Sequence, residues 1–99
     1  MGLFNMLFGG TDTAKVDELL AQGAKIIDVR TPAEFKSGHN DGAINIPLDT
    51  LQANISRIKE YGKPIVLVCL SGGRAGSAKS ILSGAGIECV NAGGWSNLR

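Results

Sequence analysis

"PIVLVCLSGGRAGSA", residues 64–78, is the stretch whose reading decides the fold. Ile65, Val66, Leu67 and Val68 run to Cys69 without polar alternation. A strand of that kind is ordinarily buried on both faces, as in a parallel sheet. After Cys69 come Leu70, Ser71, Gly72 and Gly73, then Arg74. Small residues with Ile81 and Leu82 follow, which predicts a helix over 75–85 stopped by Gly86. The strand thus delivers a cysteine to a short glycine-bearing loop, and the loop feeds the N-terminus of a helix.

The same alternation extends outward. Asp12 or Thr13 opens a helix with Val16, Leu19 and Leu20 on one face and Gly23 as its stop. "KIIDV", residues 25–29, reads as a short strand. Thr31-Pro32-Ala33-Glu34 has the form of a capping box with proline at the first helical position. That helix ends at Gly38, and "GAINIP", residues 42–47, is a strand closed by Pro47. Asp49, with Gln52 three residues on, is placed to cap a third helix carrying Leu51, Ile55 and Ile58. "IECVN", residues 87–91, is the last strand, and "AGGWSNLR" is a tail. Alternating strands and helices predict an α/β fold, a mainly parallel sheet with helices on both faces. Sites in such sheets gather at the carboxyl ends of strands, where Asp28, Cys69 and Asn91 fall.

The 99 residues suit one domain, over 11–99, after an apolar tail over 1–10. The tail lacks a basic segment and is too short to span a bilayer, so it is not expected to serve as a signal or to touch a membrane. Apolar residues make up 43%, charged residues 19%, and the net charge is +1. So balanced a charge excludes a long-range field for nucleic acid or an anionic membrane. Two cysteines, Cys69 and Cys89, and one histidine do not make a four-ligand zinc site. No metal or cofactor is expected, and the thiols read as free in the cytoplasm. A Cys69–Cys89 disulfide is the minority alternative.

The loop has its own chemistry. Backbone N–H groups at a helix start have no intrahelical partner, and the helix dipole adds positive character there. Gly72 and Gly73 let the loop curl so that these donors converge. Cys69 would sit at their focus with its thiolate favoured, and Arg74 would add a planar cationic fork. A core cysteine ending a strand is the plainer reading, but the glycine pair, the helix start and Arg74 together favour a nucleophile. The loop is Cys-x4-Arg, one residue shorter than the Cys-x5-Arg loop of cysteine phosphatases. A tighter ring suits a single sulfur better than a phosphoryl group. A phosphatase or arsenate reductase is therefore the weaker alternative to sulfur transfer through a Cys69 persulfide.

These residues resemble a known family. "IDVRTPAEFKSGHNDGAINIPL", residues 27–48, is similar to the first signature of rhodanese-like domains. "VCLSGGRAGSA" is similar to their active-site loop and "NAGGW" to their closing motif. The resemblance implies a single-domain rhodanese: a five-stranded, mainly parallel sheet flanked by helices, its fifth strand a short edge piece near residues 10–13. It implies a sulfurtransferase with Cys69 as nucleophile and Leu70, Ser71, Gly72, Gly73 and Arg74 binding substrate. The expected partners are a small sulfur donor, thiosulfate or a persulfide, and a thiol or cyanide-like acceptor. A thioredoxin-like or other sulfur-accepting protein could take that second role. Two departures stand out. Asn40-Asp41 replaces the usual Ile-Pro and alters a surface turn. Leu70 stands where many thiosulfate-using members carry a basic residue, which favours a persulfide or protein-bound sulfur, or a carrier module without turnover.

The remaining polar candidates read as structural. Asp28 can accept loop N–H bonds, and Arg30 can pair with Glu34. His39 reads as a hydrogen-bonded loop histidine and Cys89 as a structural cysteine. Trp95 either covers the pocket or caps the core.

Overall fold

A computed structural model describes residues 13–98. It consists of α1 (Thr13–Ala21), β1 (Lys25–Asp28), α2 (Pro32–Ser37), β2 (Ile44–Asn45), α3 (Leu48–Leu51), a 3₁₀ turn (Gln52–Asn54) and α4 (Ile55–Glu60). Then come β3 (Ile65–Cys69), α5 (Gly73–Gly84), β4 (Cys89–Gly94) and a closing 3₁₀ turn (Trp95–Asn97). The strands form one parallel sheet in the order β2-β1-β3-β4. The expected fifth strand, near residues 10–13, lies outside the described residues except for Thr13, which begins α1. The expected tail over 1–10 lies outside them as well.

All five residues of β3 are buried, as its uninterrupted apolar run implies. Side chains alternate across a strand, and β3 divides accordingly. Ile65, Leu67 and Cys69 join a core with Leu51, Ile58, Ala75, Ala78 and Leu82, which come from α3, α4 and α5. Val66 and Val68 join Val16 and Leu19 of α1, with Val90 and Ala92 of β4. Both faces are therefore covered by helices, as a parallel sheet requires. Among the described residues no helix is long and apolar enough to cross a membrane.

Several boundaries differ from the sequence reading. The helix after the loop begins at Gly73, so Gly73 and Arg74 lie in its first turn rather than in the loop. Asp49 does not cap α3: that helix follows Pro47, with no side-chain cap, and the Thr50 hydroxyl donates to the Pro47 carbonyl at 2.9 Å. Proline already presets the chain for a helix start, so the cap site moves upstream of Asp49. The Gln52–Asn54 turn then interrupts the helical run before α4. The last strand runs on through Ala92-Gly93-Gly94, residues of poor strand propensity that read as a tail. They are held as strand by pairing with the end of β3, where Cys69 lies opposite Gly94 across a register shift.

Candidate active site at the end of strand β3

Cys69 closes β3 at 1% exposure. Its Sγ accepts the Gly72 N–H at 2.9 Å and the Ala75 N–H at 3.3 Å. The first donor is in the loop and the second in the opening turn of α5, so loop and helix converge on one sulfur. Amides at a helix start carry partial positive charge, and here two of them are directed at the sulfur.

The curl of the loop depends on Gly72, whose φ is +104°. A left-handed residue at that point turns the chain so its own N–H faces back to the sulfur. Gly73 adopts no such conformation, so the glycine pair is not equivalent. The Gly72 carbonyl accepts the Gly76 N–H at 2.9 Å, the opening bond of α5. It also accepts the Asn91 side-chain amide at 3.0 Å. A side chain on Gly72 would lie 3.4 Å from the Gly93 Cα, so the glycine-rich end of β4 is the wall against which the loop packs.

Arg74 does not point alone into the site. Its Nη1 and Nη2 donate to Glu34 Oε1 at 2.7 Å and Oε2 at 3.0 Å, a bidentate pair with both side chains about one-third exposed. Glu34 also completes the capping box of α2: it accepts the Thr31 N–H at 3.0 Å, and the Thr31 hydroxyl accepts the Glu34 N–H. The Arg74 fork, then the Thr31 amide, hold the Glu34 carboxyl down at about 2, well below its ordinary value. In turn, the Glu34 hydrogen bonds raise the Arg74 guanidinium further, with smaller contributions from Cys69 and Asp28. Leu70 is 59% exposed, the one large apolar side chain so exposed among the described residues, and Ser71 is also exposed. A cleft of about 280 Å³ beside Arg74 is walled by Val29, Pro47 and Leu48, with Thr31 and Asp49 at its edge.

Behind the loop lies a buried ion pair. Arg30 donates through Nε and Nη2 to Asp28, at 2.7 Å for the shortest contact, and both residues are at most 2% exposed. Asp28 also accepts the Arg30 N–H, the loop bond expected of it. The expected Arg30–Glu34 side-chain pair does not form. Arg30 reaches only the Glu34 carbonyl, at 3.1 Å, because Asp28 and Arg74 take the two charged partners. Arg30 Nη2 donates to the Gly38 carbonyl at 2.6 Å, and its guanidinium lies 4.7 Å from the Trp95 ring centre. Trp95 thus caps the core rather than the pocket. His39 stacks on Phe35 and hydrogen-bonds the Phe35 carbonyl through Nδ1 at 2.8 Å, the structural placement its loop implied. Asn40, a departure from the usual Ile-Pro, ties the C-terminal turn by donating to the carbonyls of Trp95 and Leu98.

Both cysteines are free. Ile65 pairs with Cys89 and Cys69 with Gly94, so the two thiols stand at opposite ends of neighbouring strands. Four residues of strand separate them, about 13 Å along β3. That distance exceeds the reach of a disulfide.

Asn91 and Glu34 reach the loop from other elements, so local sequence says little of their part in it. Asn91 reads as the carboxyl end of the last strand, but β4 runs on to Gly94 and leaves Asn91 in mid-strand, where it meets the loop through the Gly72 carbonyl. Glu34 reads as a helix cap and as a local partner of Arg30, while its actual charged partner lies 40 residues away.

A family model described as a rhodanese-like domain matches residues 12–99. The chain is 38% identical over 74 residues to thiosulfate sulfurtransferase PspE of Escherichia coli, covering 73% of this chain and 71% of that protein. It is 35% identical over 72 residues to thiosulfate sulfurtransferase GlpE of Pseudomonas syringae, covering 73% and 67%. A solved structure described as a rhodanese with anions from E. coli superposes with a TM-score of 0.69 at 35% identity, over 76% of this chain and 91% of that one. Fold, loop and relatives agree, and the chain belongs to the rhodanese-like family.

Proposed function

We propose that this protein is a sulfurtransferase that carries sulfane sulfur on Cys69. The observation that supports it most is the pair of N–H donors, from Gly72 and Ala75, aimed at the Cys69 sulfur. Relatives named thiosulfate sulfurtransferases support the same activity. The Cys69 thiolate attacks the outer sulfur of a donor. The donor's S–S bond breaks, and the leaving group departs with its electron pair as sulfite or a thiolate. A persulfide remains on Cys69, its outer sulfur held by amides of residues 70–74. A thiol or cyanide-like acceptor then attacks that sulfur and returns Cys69 as thiolate, a ping-pong cycle without metal or cofactor. A sulfur-accepting protein, such as one of thioredoxin type, fits the acceptor role. The free thiols fit a reducing cytoplasm.

Charge at the rim favours a persulfide over thiosulfate as donor. The Arg74 cation is already matched by Glu34, and Leu70 brings no second one. A dianion gains little there, whereas a donor with a carbon skeleton can lie along Leu70 and the apolar cleft of Val29, Pro47 and Leu48. The exposure of Leu70 also favours a second reading, a carrier that loads once and discharges to a partner protein.

Intact mass after incubation with thiosulfate or a low-molecular-weight persulfide tests the proposal. The native protein gains one sulfur atom and Cys69→Ser gains none. No adduct with any sulfane donor overturns it. Repeated turnover with a small thiol separates an enzyme from a carrier.

A further inference from the structure

Asn91 stands half-buried in the middle of β4, outside the Cys69–Arg74 segment, and both ends of its amide are engaged. Its Nδ2 donates to the Gly72 carbonyl at 3.0 Å, and its Oδ1 accepts the Gly93 N–H at 2.8 Å. Gly72 is the left-handed residue of the loop, and its own N–H is the shorter of the two bonds to Cys69 Sγ. The Gly72 carbonyl shares one rigid plane with the Gly73 N–H, so the bond from Asn91 anchors the plane on the far side of Gly72. The plane that carries the Gly72 N–H is joined to it through the left-handed φ and ψ of Gly72, which pack against Gly93. Gly93, the other partner, is also left-handed, at φ +82°, and its Cα is the nearest atom to the side-chain position of Gly72. One amide thus joins the two left-handed glycines that face each other across the loop and the strand.

We propose that Asn91 is a positioning residue for the Cys69 sulfur, acting through Gly72. It never touches the sulfur. It helps hold the loop in the curl that aims the Gly72 N–H at it; without that bond the Gly72 carbonyl keeps only the Gly76 N–H of α5. The amide fits this task because it needs one donor and one acceptor on a planar group. A carboxylate would lose the donor and set its charge against the Gly72 carbonyl. The inference rests on the reading of Cys69 as a thiolate nucleophile, and its test does not depend on sulfur transfer.

The test is the rate of Cys69 alkylation by iodoacetamide across pH, read by intact mass in a Cys89→Ala background so that one thiol reports. The charged groups around Cys69 are Arg74 of α5, itself paired with Glu34 of α2, and the Asp28–Arg30 pair at the end of β1. The variants leave all of them in place. In Asn91→Ala and Asn91→Ser, the pH of half-maximal alkylation rises by about one unit, so at pH values below the midpoint the rate falls about tenfold. Asn91→Ser keeps a hydroxyl on β4 and serves if the alanine variant does not fold. A folded variant with an unchanged profile overturns the proposal. Unfolding of both variants overturns it as well, since Asn91 would then serve the fold as a whole. Failure of the native protein to accept sulfur, with the profile shift intact, overturns the sulfurtransferase reading and leaves the role of Asn91 standing.

Discussion

The carbonyl oxygen of Leu70 lies 2.7 Å from the point that a Cβ on residue 94 would occupy. The two residues belong to different elements, yet the backbone of the active loop is seated directly on Gly94. The neighbour is backbone, so a side chain there could be accommodated only by moving the loop. Gly94→Ala should cost about 1–3 kcal/mol, the usual range for overpacking. It should also slow alkylation of Cys69, because the displaced segment carries the cradle. Denaturant unfolding and iodoacetamide kinetics on one preparation check both outcomes.

Leu70 is the natural site for changing donor preference. It is exposed, so a basic replacement should alter stability by less than about 0.5 kcal/mol. Leu70→Lys adds a cation not already matched by a carboxylate. Thiosulfate loading should rise about tenfold at low salt and fall back as ionic strength increases. A rate insensitive to this substitution would show that charge at the rim does not limit the dianion.

The Glu34–Arg74 pair gives a pH signature. The folded Glu34 carboxyl lies at about 2 against an ordinary 4.5, so its ionised form is favoured by folding. The stabilisation is complete above about 4.5 and is lost as pH falls from there through about 2. Glu34→Gln should therefore melt below the native protein at neutral pH. The gap should narrow across the acid window and close near its lower end. Melting curves from neutral pH downward check the sign.

The buried Asp28–Arg30 pair behaves differently. Arg30→Met leaves the Asp28 carboxylate in the core without its cation, and removing one partner of such a pair costs about 3–5 kcal/mol. It also strips a donor from the Gly38 carbonyl and a cation from the Trp95 ring. Urea unfolding should show this as the largest loss among these variants. Replacing both residues with apolar ones should recover part of it.

Much of this was legible in the residues. The apolar run of β3 announced a strand buried on both faces, and the capping box at Thr31–Glu34 appeared as its pattern predicted. The nucleophile candidate was legible too, since a cysteine between such a strand and a glycine turn leaves few other placements. What escaped was tertiary. Glu34 satisfies Thr31 locally, so nothing in its neighbourhood signals a second partner in α5. The strand character of Ala92-Gly93-Gly94 contradicts local propensity and arises only from pairing with β3 and from the space the loop needs. Arg74 reads as the loop's end, though it lies in the first turn of α5, because helical pattern shows where apolar residues recur, not where the first amide turns inward.

The parallel register of β3 and β4 bears on oxidation. A cysteine oxidised to sulfenic acid is ordinarily rescued when a nearby thiol condenses with it. Cys89 sits at the far end of its strand, where its sulfur meets the Ser83 hydroxyl and the Lys79 carbonyl. It offers Cys69 no such rescue within the folded molecule. A thiol that repairs an oxidised Cys69 by condensation must therefore come from a second molecule.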